Sequence, residues 1–302
     1  MITSDILSLS RERLQDTKAP FLWESWELLL YLNQAYNEWV KESGCILDDS
    51  TPAIIQIPIL CNQPTYALHP QITEVRYGRL FTAKKDVKVK SDIWLSQFIL
   101  DWKYATGTVE YMVPDYDSGK IRVVRFPDPS LGYFSKAFVF TASDNSISQT
   151  GAKFSGTLSA GDEVVISGTT SNGTDIIPAT FTVVTATADS FTVLEDITDE
   201  TASAGVIRKV IDTLYLTVTR LGAALTATGM DTQSPEMRTE DHIKLVDGIM
   251  REAYLKKDAD TLDPKASMEH GEIFEHNKLK ARAAKDNLRW SEVVARPDFG
   301  SL

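Results

Sequence analysis

One stretch of this chain is composed differently from the rest, and that contrast limits what the whole can fold into. Residues 141–205 hold 22 Ser or Thr in 65 positions and contain no Trp, Tyr, His, Met, Cys or Arg. All six Trp lie outside it: Trp23, Trp26, Trp39, Trp94, Trp102 and Trp290. A segment so different reads as an inserted module with its own core, and we place its limits at 134 and 209. Its strand candidates are 138–141, 163–167, 179–187, 190–194 and 205–209, with turns at 171–174 and 188–190. Phe181, Val183, Phe191 and Val193 alternate with Thr, which suits a half-buried sheet. Many short strands with regular turns predict a small all-β barrel or sandwich.

The flanks read differently. Thr3 or Ser4 can cap a short helix carrying Ile6, Leu9 and Leu14, broken at 16–20. A second helix is predicted over 26–42. There Leu29, Leu32, Tyr36 and Trp39 recur at spacings of three and four, Ser25 is the candidate cap and Gly44 the stop. Ile55, Ile57 and Ile59 alternate, 66–68 and 72–77 are further short strands, and the nearby prolines make these edge strands. Ser91 caps a short helix to 98, and the Asp115–Gly119 turn joins strands 109–113 and 121–126 into a hairpin. After the module come a strand at Leu214, Leu216 and Val218, a loop over 223–234, and a helix from Thr239 to about Lys257. A last helix, capped by Asp263 with Pro264 at its first position, carries Met268, Ile273 or Phe274, and Leu279, and runs on toward Leu288. The expected fold is α+β. A helical-bundle core with a small β-region is built from 1–133 and 210–287, residues 134–209 form the inserted barrel or sandwich, and 288–302 are an extended tail.

Charge and motifs narrow the function. Lys and Arg number 31 against 42 Asp and Glu, a net charge of −11, which disfavours a protein that wraps nucleic-acid phosphates. The longest apolar runs, such as 28–32, are far too short to span a bilayer, and the N-terminus lacks the basic flank and apolar run of a secretory signal. Two cysteines, Cys45 and Cys61, cannot frame the fold with disulfides and read as reduced thiols of a cytoplasmic product. His270 and His276 stand six apart, not four, so they form no zinc-binding helix pair. Asp115, Asp117 and Gly119 imitate the start of a calcium loop but lack its later ligands. Asp258, Asp260 and Asp263 read as turn and capping residues. Ser118-Gly119-Lys120 lacks the upstream glycine of a phosphate loop, and 156–161 has the wrong spacing for a nucleophile elbow. No catalytic residue, metal or cofactor is expected. What remains is aromatic: Phe21, Trp23, Trp26, Tyr31, Tyr36 and Trp39 crowd into nineteen residues. Trp26, Leu29, Leu32, Tyr36 and Trp39 are therefore candidates either for core packing or for a subunit interface.

The order of these pieces carries a resemblance. Arg13-Leu14-Gln15-Asp16-Thr17, Pro20-Phe21-Leu22-Trp23, Glu27-Leu28-Leu29 and Tyr31-Leu32-Asn33-Gln34-Ala35 resemble the N-terminal helix pair of tailed-phage head-to-tail adaptor proteins. Gly107-Thr108 and the run from Val113 to Lys120 resemble that family's β-region. The run from Ala253 to Pro264 is similar to the join of its C-terminal helical hairpin. The likeness spans about 1–132 and 210–290. Glu24 departs from the family's usual capping Ser or Asp, and the β-module is absent from the minimal adaptors. The resemblance implies a virion neck protein assembled in the host bacterial cytoplasm: a ring homo-oligomer, twelve-fold in the family. Such a ring joins the portal protein to the tail nozzle or tail tube, and genomic DNA passes through it without sequence-specific binding or any membrane. It also implies that the C-terminal segment docks on the portal, through Trp290, Arg296 and Phe299. The rival readings are another neck or tail hub protein, and a glycan- or receptor-binding virion protein that uses the module.

Overall fold

The computed structural model describes residues 1–174, 178–257 and 261–294, and of Ser203 and 287–294 the backbone alone. In chain order come α1 (Thr3–Arg13), α2 (Ser25–Ser43), β1 (Leu47–Asp48), α3 (Pro52–Ile55), β2 (Gln56–Leu60), β3 (Thr65–Ala67), β4 (Ile72–Leu80), β5 (Asp86–Val89) and α4 (Asp92–Phe98). Then follow β6 (Tyr111–Asp117), β7 (Lys120–Val124), β8 (Tyr133–Thr141), β9 (Ser146–Ser148), β10 (Glu163–Ser167), β11 (Ala179–Ala186), β12 (Ser190–Val193), β13 (Glu200–Arg220), α5 (Leu245–Ala253) and α6 (Pro264–Val294). The chain divides into two compact units: Met1–Asp48 with Gln71–Glu74 and Val218–Leu302, and Asp49–Pro70 with Val75–Thr217.

The expected helical-bundle core is overturned. The thirteen strands join one mixed sheet, and only 32% of the chain is helical. The cause is β13, 21 residues long, which carries partners along its whole length. Its first half pairs with β8 and β10, its middle with β2 and β4, and its last residues with β1. The strands that looked small and peripheral in sequence are thereby tied into a large sheet.

The first unit is helical. Along α2, Leu28, Leu29, Leu32, Ala35, Tyr36, Trp39 and Val40 are buried, the stripe a 3.6-residue period sets. Ser25 is the first helical residue, not the cap. Glu24 precedes the helix, and its N–H donates to the Glu27 carboxylate at 2.9 Å. Gly44 ends the helix in the left-handed region (φ +54°), where a side chain would be strained, and its N–H closes on the Val40 carbonyl at 2.7 Å. Asp263 opens α6 by accepting from the Lys265 and Ala266 N–H groups, both at 3.1 Å. The helix predicted from Thr239 instead starts with a 3-10 turn, Thr239–Lys244, before α5. Ile6, Leu28, Leu32, Tyr36, Trp39, Ile249, Met250 and Phe274 share one core.

In the second unit, β10, β11, β12, β9, β8 and β13 pair in that order, and β13 returns to β10. Every pair is antiparallel, so six strands close into a barrel with no free edge. Phe138, Phe140, Phe154, Phe181 and Phe191 fill it with Ile147, Val164, Val183 and Ile207. Phe154 meets Phe191 edge-on at 4.9 Å. Each fully buried Phe contributes about 1.5–3 kcal/mol relative to exposure. Threonines face outward, and Thr185 and Thr192 share a hydroxyl hydrogen bond at 2.8 Å across β11 and β12. The Glu200 carboxylate ties the loop after β10 by accepting from the N–H groups of Thr170 and Ser171 and from the Asn172 side-chain amide, at 2.5, 2.9 and 3.0 Å. The barrel begins and ends at neighbouring residues: Tyr133 pairs with Arg208, and the Lys209 N–H donates to the Gly132 carbonyl at 2.8 Å.

Candidate interaction surface

Helix α2 has two apolar faces, and only one of them is used inside the first unit. Leu29, Leu32, Tyr36 and Trp39 face the core. Trp39 is fully buried, 5.8 Å from the Phe274 ring, with the Lys244 ammonium 5.6 Å from its own ring. Its indole Nε1 is buried without a hydrogen-bond partner. The Tyr36 hydroxyl accepts from the Glu236 N–H at 2.8 Å, and burial pushes its phenol up to about 12.

Trp26 belongs to the other face. It is 62% exposed, and Leu30, one turn further along, is also exposed. Phe21 and Leu22 extend this surface ahead of the helix. It is held in place from below. The Asp16 carboxylate accepts from the N–H groups of Leu22 and Trp23 at 2.9 and 3.2 Å and pairs with Arg11 at 2.8 Å. The Arg11 guanidinium lies 4.1 Å from the centre of the Phe21 ring. Lys256 reaches the Leu22 carbonyl at 2.7 Å and the Glu27 carboxylate at 2.9 Å. The buried Trp23 indole donates to the Ala253 carbonyl at 3.1 Å. The apolar groups are thus presented by fixed backbone, which lowers the entropy cost of binding.

An ionic cluster joins α2 to the C-terminal helices. Glu38 accepts from Arg251 and from Lys278, each at 2.7 Å, and the Lys278 side chain is only 4% exposed. Burial opposes ionisation of Glu38. The hydrogen bonds from Arg251 and Lys278 outweigh it and bring its carboxyl down to about 2. Sequence reasoning missed this cluster. Its signal was Lys278 standing four residues after Phe274, on the same helix face.

The remaining sequence candidates fall as follows. His270 accepts or shares a proton with Asp247 at 3.0 Å and stacks on Tyr254, whereas His276 is exposed. Asp117 pairs with Lys120 at 2.6 Å across the hairpin turn. Cys61 is buried, which pushes its thiol up to about 11. Among the described residues, no group of three His, Cys, Asp or Glu could hold a metal ion, and no helix is long and apolar enough to cross a membrane. The backbone of α6 runs to Val294, so the first part of the expected extended tail is helical. The Trp290 side chain, Arg296, Phe299, Asp258 and Asp260 lie outside the described residues. No protein-family model matches this chain, and a search of curated proteins finds no relative.

Proposed function

We propose that this protein is a head-to-tail adaptor of a tailed bacteriophage, a structural subunit that assembles as a ring between portal and tail and extends the DNA channel. The observation that carries the reading is the pairing of two features in the first unit. The sequence pieces that resemble the adaptor family's N-terminal helix pair and C-terminal hairpin become α1, α2, α5 and α6, and these share one core. Outside that core, Trp26, Leu30, Phe21 and Leu22 stay exposed on fixed backbone. Grouped exposed apolar residues mark association surfaces more often than they decorate monomers. The net charge of −11 suits a channel wall that must release DNA rather than hold it.

The C-terminal segment is the portal-docking element in this reading, with Trp290 and Phe299 as anchors and Arg296 as a charge-assisted contact. The test is capture by the portal of the virus that encodes the chain, seen by co-sedimentation and negative-stain imaging. A ring stacked on the portal is the expected result. A chain ending at Asn287 should fold normally and bind weakly. Failure of the full chain to bind the portal sinks the adaptor reading; full-strength binding by the shortened chain removes only the docking role of the tail.

A further inference from the structure

Residues 91–104, in the second unit, hold apolar side chains out into solvent on a rigid frame. The Ser91 hydroxyl caps α4 by accepting from the Trp94 N–H at 3.2 Å. Leu95 and Trp102 are buried in a small core with Val113 and Val124, and the Trp102 indole donates to the Ser96 hydroxyl at 3.1 Å. Asp101 turns the chain in the left-handed region (φ +52°), and its carbonyl accepts from the Tyr104 N–H at 2.9 Å. Around these anchors, Ile93, Phe98, Leu100 and Tyr104 are 67%, 66%, 91% and 80% exposed. Trp94 stacks on Phe98 at 4.8 Å, with the Lys90 ammonium 4.4 Å from its ring. The Arg122 guanidinium lies 5.0 Å from the Tyr116 ring and 5.7 Å from Trp102. Such a cluster of aromatic and aliphatic groups among cations has the composition of an interface hot spot.

The surroundings say what kind of surface it fits. Residues 76–125 carry ten Lys and Arg against six Asp and Glu, whereas the rest of the chain carries 21 against 36. The segment is a basic island on an acidic protein, and the first unit, with 17 against 24, is acidic. We propose that residues 91–104 form a preformed docking knob whose partner is an acidic surface of a second copy of this chain. Two knobs cannot meet face to face without opposing Lys90 and Lys103 to their own counterparts, so the contact is head-to-tail. A head-to-tail contact that closes makes a ring. The proposal rests on the ring reading for that closure; the contact itself is tested separately.

The experiment is analytical ultracentrifugation of the full chain over a micromolar concentration range at low and high salt. The wild-type chain is expected to associate reversibly. Leu100→Ser with Tyr104→Ser should weaken association by roughly 30-fold or more, the mark of a hot spot. Lys90→Glu with Lys103→Glu should weaken it at low salt and much less at high salt. All four side chains are exposed or surface-lying, so melting temperatures should stay at the wild-type value and show that the variants fold. Wild-type association by the Leu100 and Tyr104 variant overturns the knob while leaving the adaptor reading intact if the portal still captures the chain. A wild-type chain that remains monomeric throughout overturns the second-copy partner, including when it instead co-sediments with phosphatidylserine vesicles through these same side chains. Association through the knob without portal capture supports this proposal and sinks the adaptor reading.

Discussion

In the helical unit, Trp39, Ile249 and Phe274 come together from helices separated by about two hundred positions of chain. In the barrel, Phe138, Phe154, Phe181 and Phe191 all come from one contiguous stretch. The first core is built from few, large residues and is stitched at its rim by Glu38, Arg251 and Lys278. The second is built from medium residues, closed by backbone hydrogen bonds, and coated with threonine. Closure by backbone lets side chains on the barrel's outside vary freely, whereas the helical unit depends on particular side chains to hold distant segments together. A module can therefore drift toward Ser and Thr in composition without losing its fold, and the helical unit cannot.

The strongest way to break this contrast is to empty the helical core. Trp39→Ala should cost about 3–5 kcal/mol, because the indole is fully buried and the site cannot collapse onto it completely. Urea denaturation followed by helical circular dichroism measures it, and a loss under about 1 kcal/mol would mean that the helices do not depend on this residue.

The rim comes next. Lys278→Ala leaves the Glu38 carboxylate short of one partner and should cost about 1–3 kcal/mol in the same assay. The pH dependence sharpens the point. The folded Glu38 carboxyl is held at about 2 against an ordinary 4.5, so its contribution is complete above about 4.5 and is lost as pH falls through that window toward 2. The melting temperature of Glu38→Gln should fall less steeply than that of the wild type between pH 4.5 and 2. Parallel curves would place the acid sensitivity elsewhere.

Removing the barrel tests the other side of the comparison. Replacing 134–208 with a short Gly/Ser linker should leave the unfolding free energy of the helical unit within about 1 kcal/mol, because Tyr133 and Arg208 are already paired neighbours. Loss of cooperative helical unfolding would show that the module is not separable. The smallest effect is expected on the barrel surface. Thr185→Val, at an exposed cross-strand pair, should shift stability by no more than about 0.5 kcal/mol by thermal melting. A much larger loss would mean that the threonine coat contributes more than solubility.

The helices were the legible part of the sequence. The spacing of Leu29, Leu32, Tyr36 and Trp39, the stop at Gly44 and the Asp263-Pro264 start all reflect local rules that act within one or two turns. The extent of the sheet was not legible, and Asp212 shows why. It sits in the middle of β13, where a charged residue reads as a break between strands 205–209 and 214–218. In the fold it is buried, and its carboxylate accepts from the N–H groups of Thr82 and Ala83 at 2.8 and 2.9 Å, tying the turn between β4 and β5. Only a partner more than a hundred residues away makes that residue acceptable in a strand. Pro58 was easier: β2 pairs only with β13, so an edge position tolerates its missing donor. The candidate surface was half legible. The aromatic crowding of 21–39 is visible in sequence, but periodicity alone does not say that Trp39 points inward while Trp26 points out. The knob at 91–104 was missed because its short helix and turn look like an ordinary connection until burial separates Leu95 and Trp102 from Leu100 and Tyr104.

The pairing of Gly132 and Tyr133 with Lys209 and Arg208 has a consequence for how such a chain can be inherited. The backbone bonds at that point are those a tight hairpin would make, so a gene lacking everything between them could still encode the flanking strands in register. Insertion or loss of the module then costs the parent fold little, and a recombination event at this one place exchanges an entire folded accessory at once. Lineages carrying this protein could trade the barrel for another small domain whose ends emerge side by side, while the sheet and helices around it continue to evolve on their own schedule.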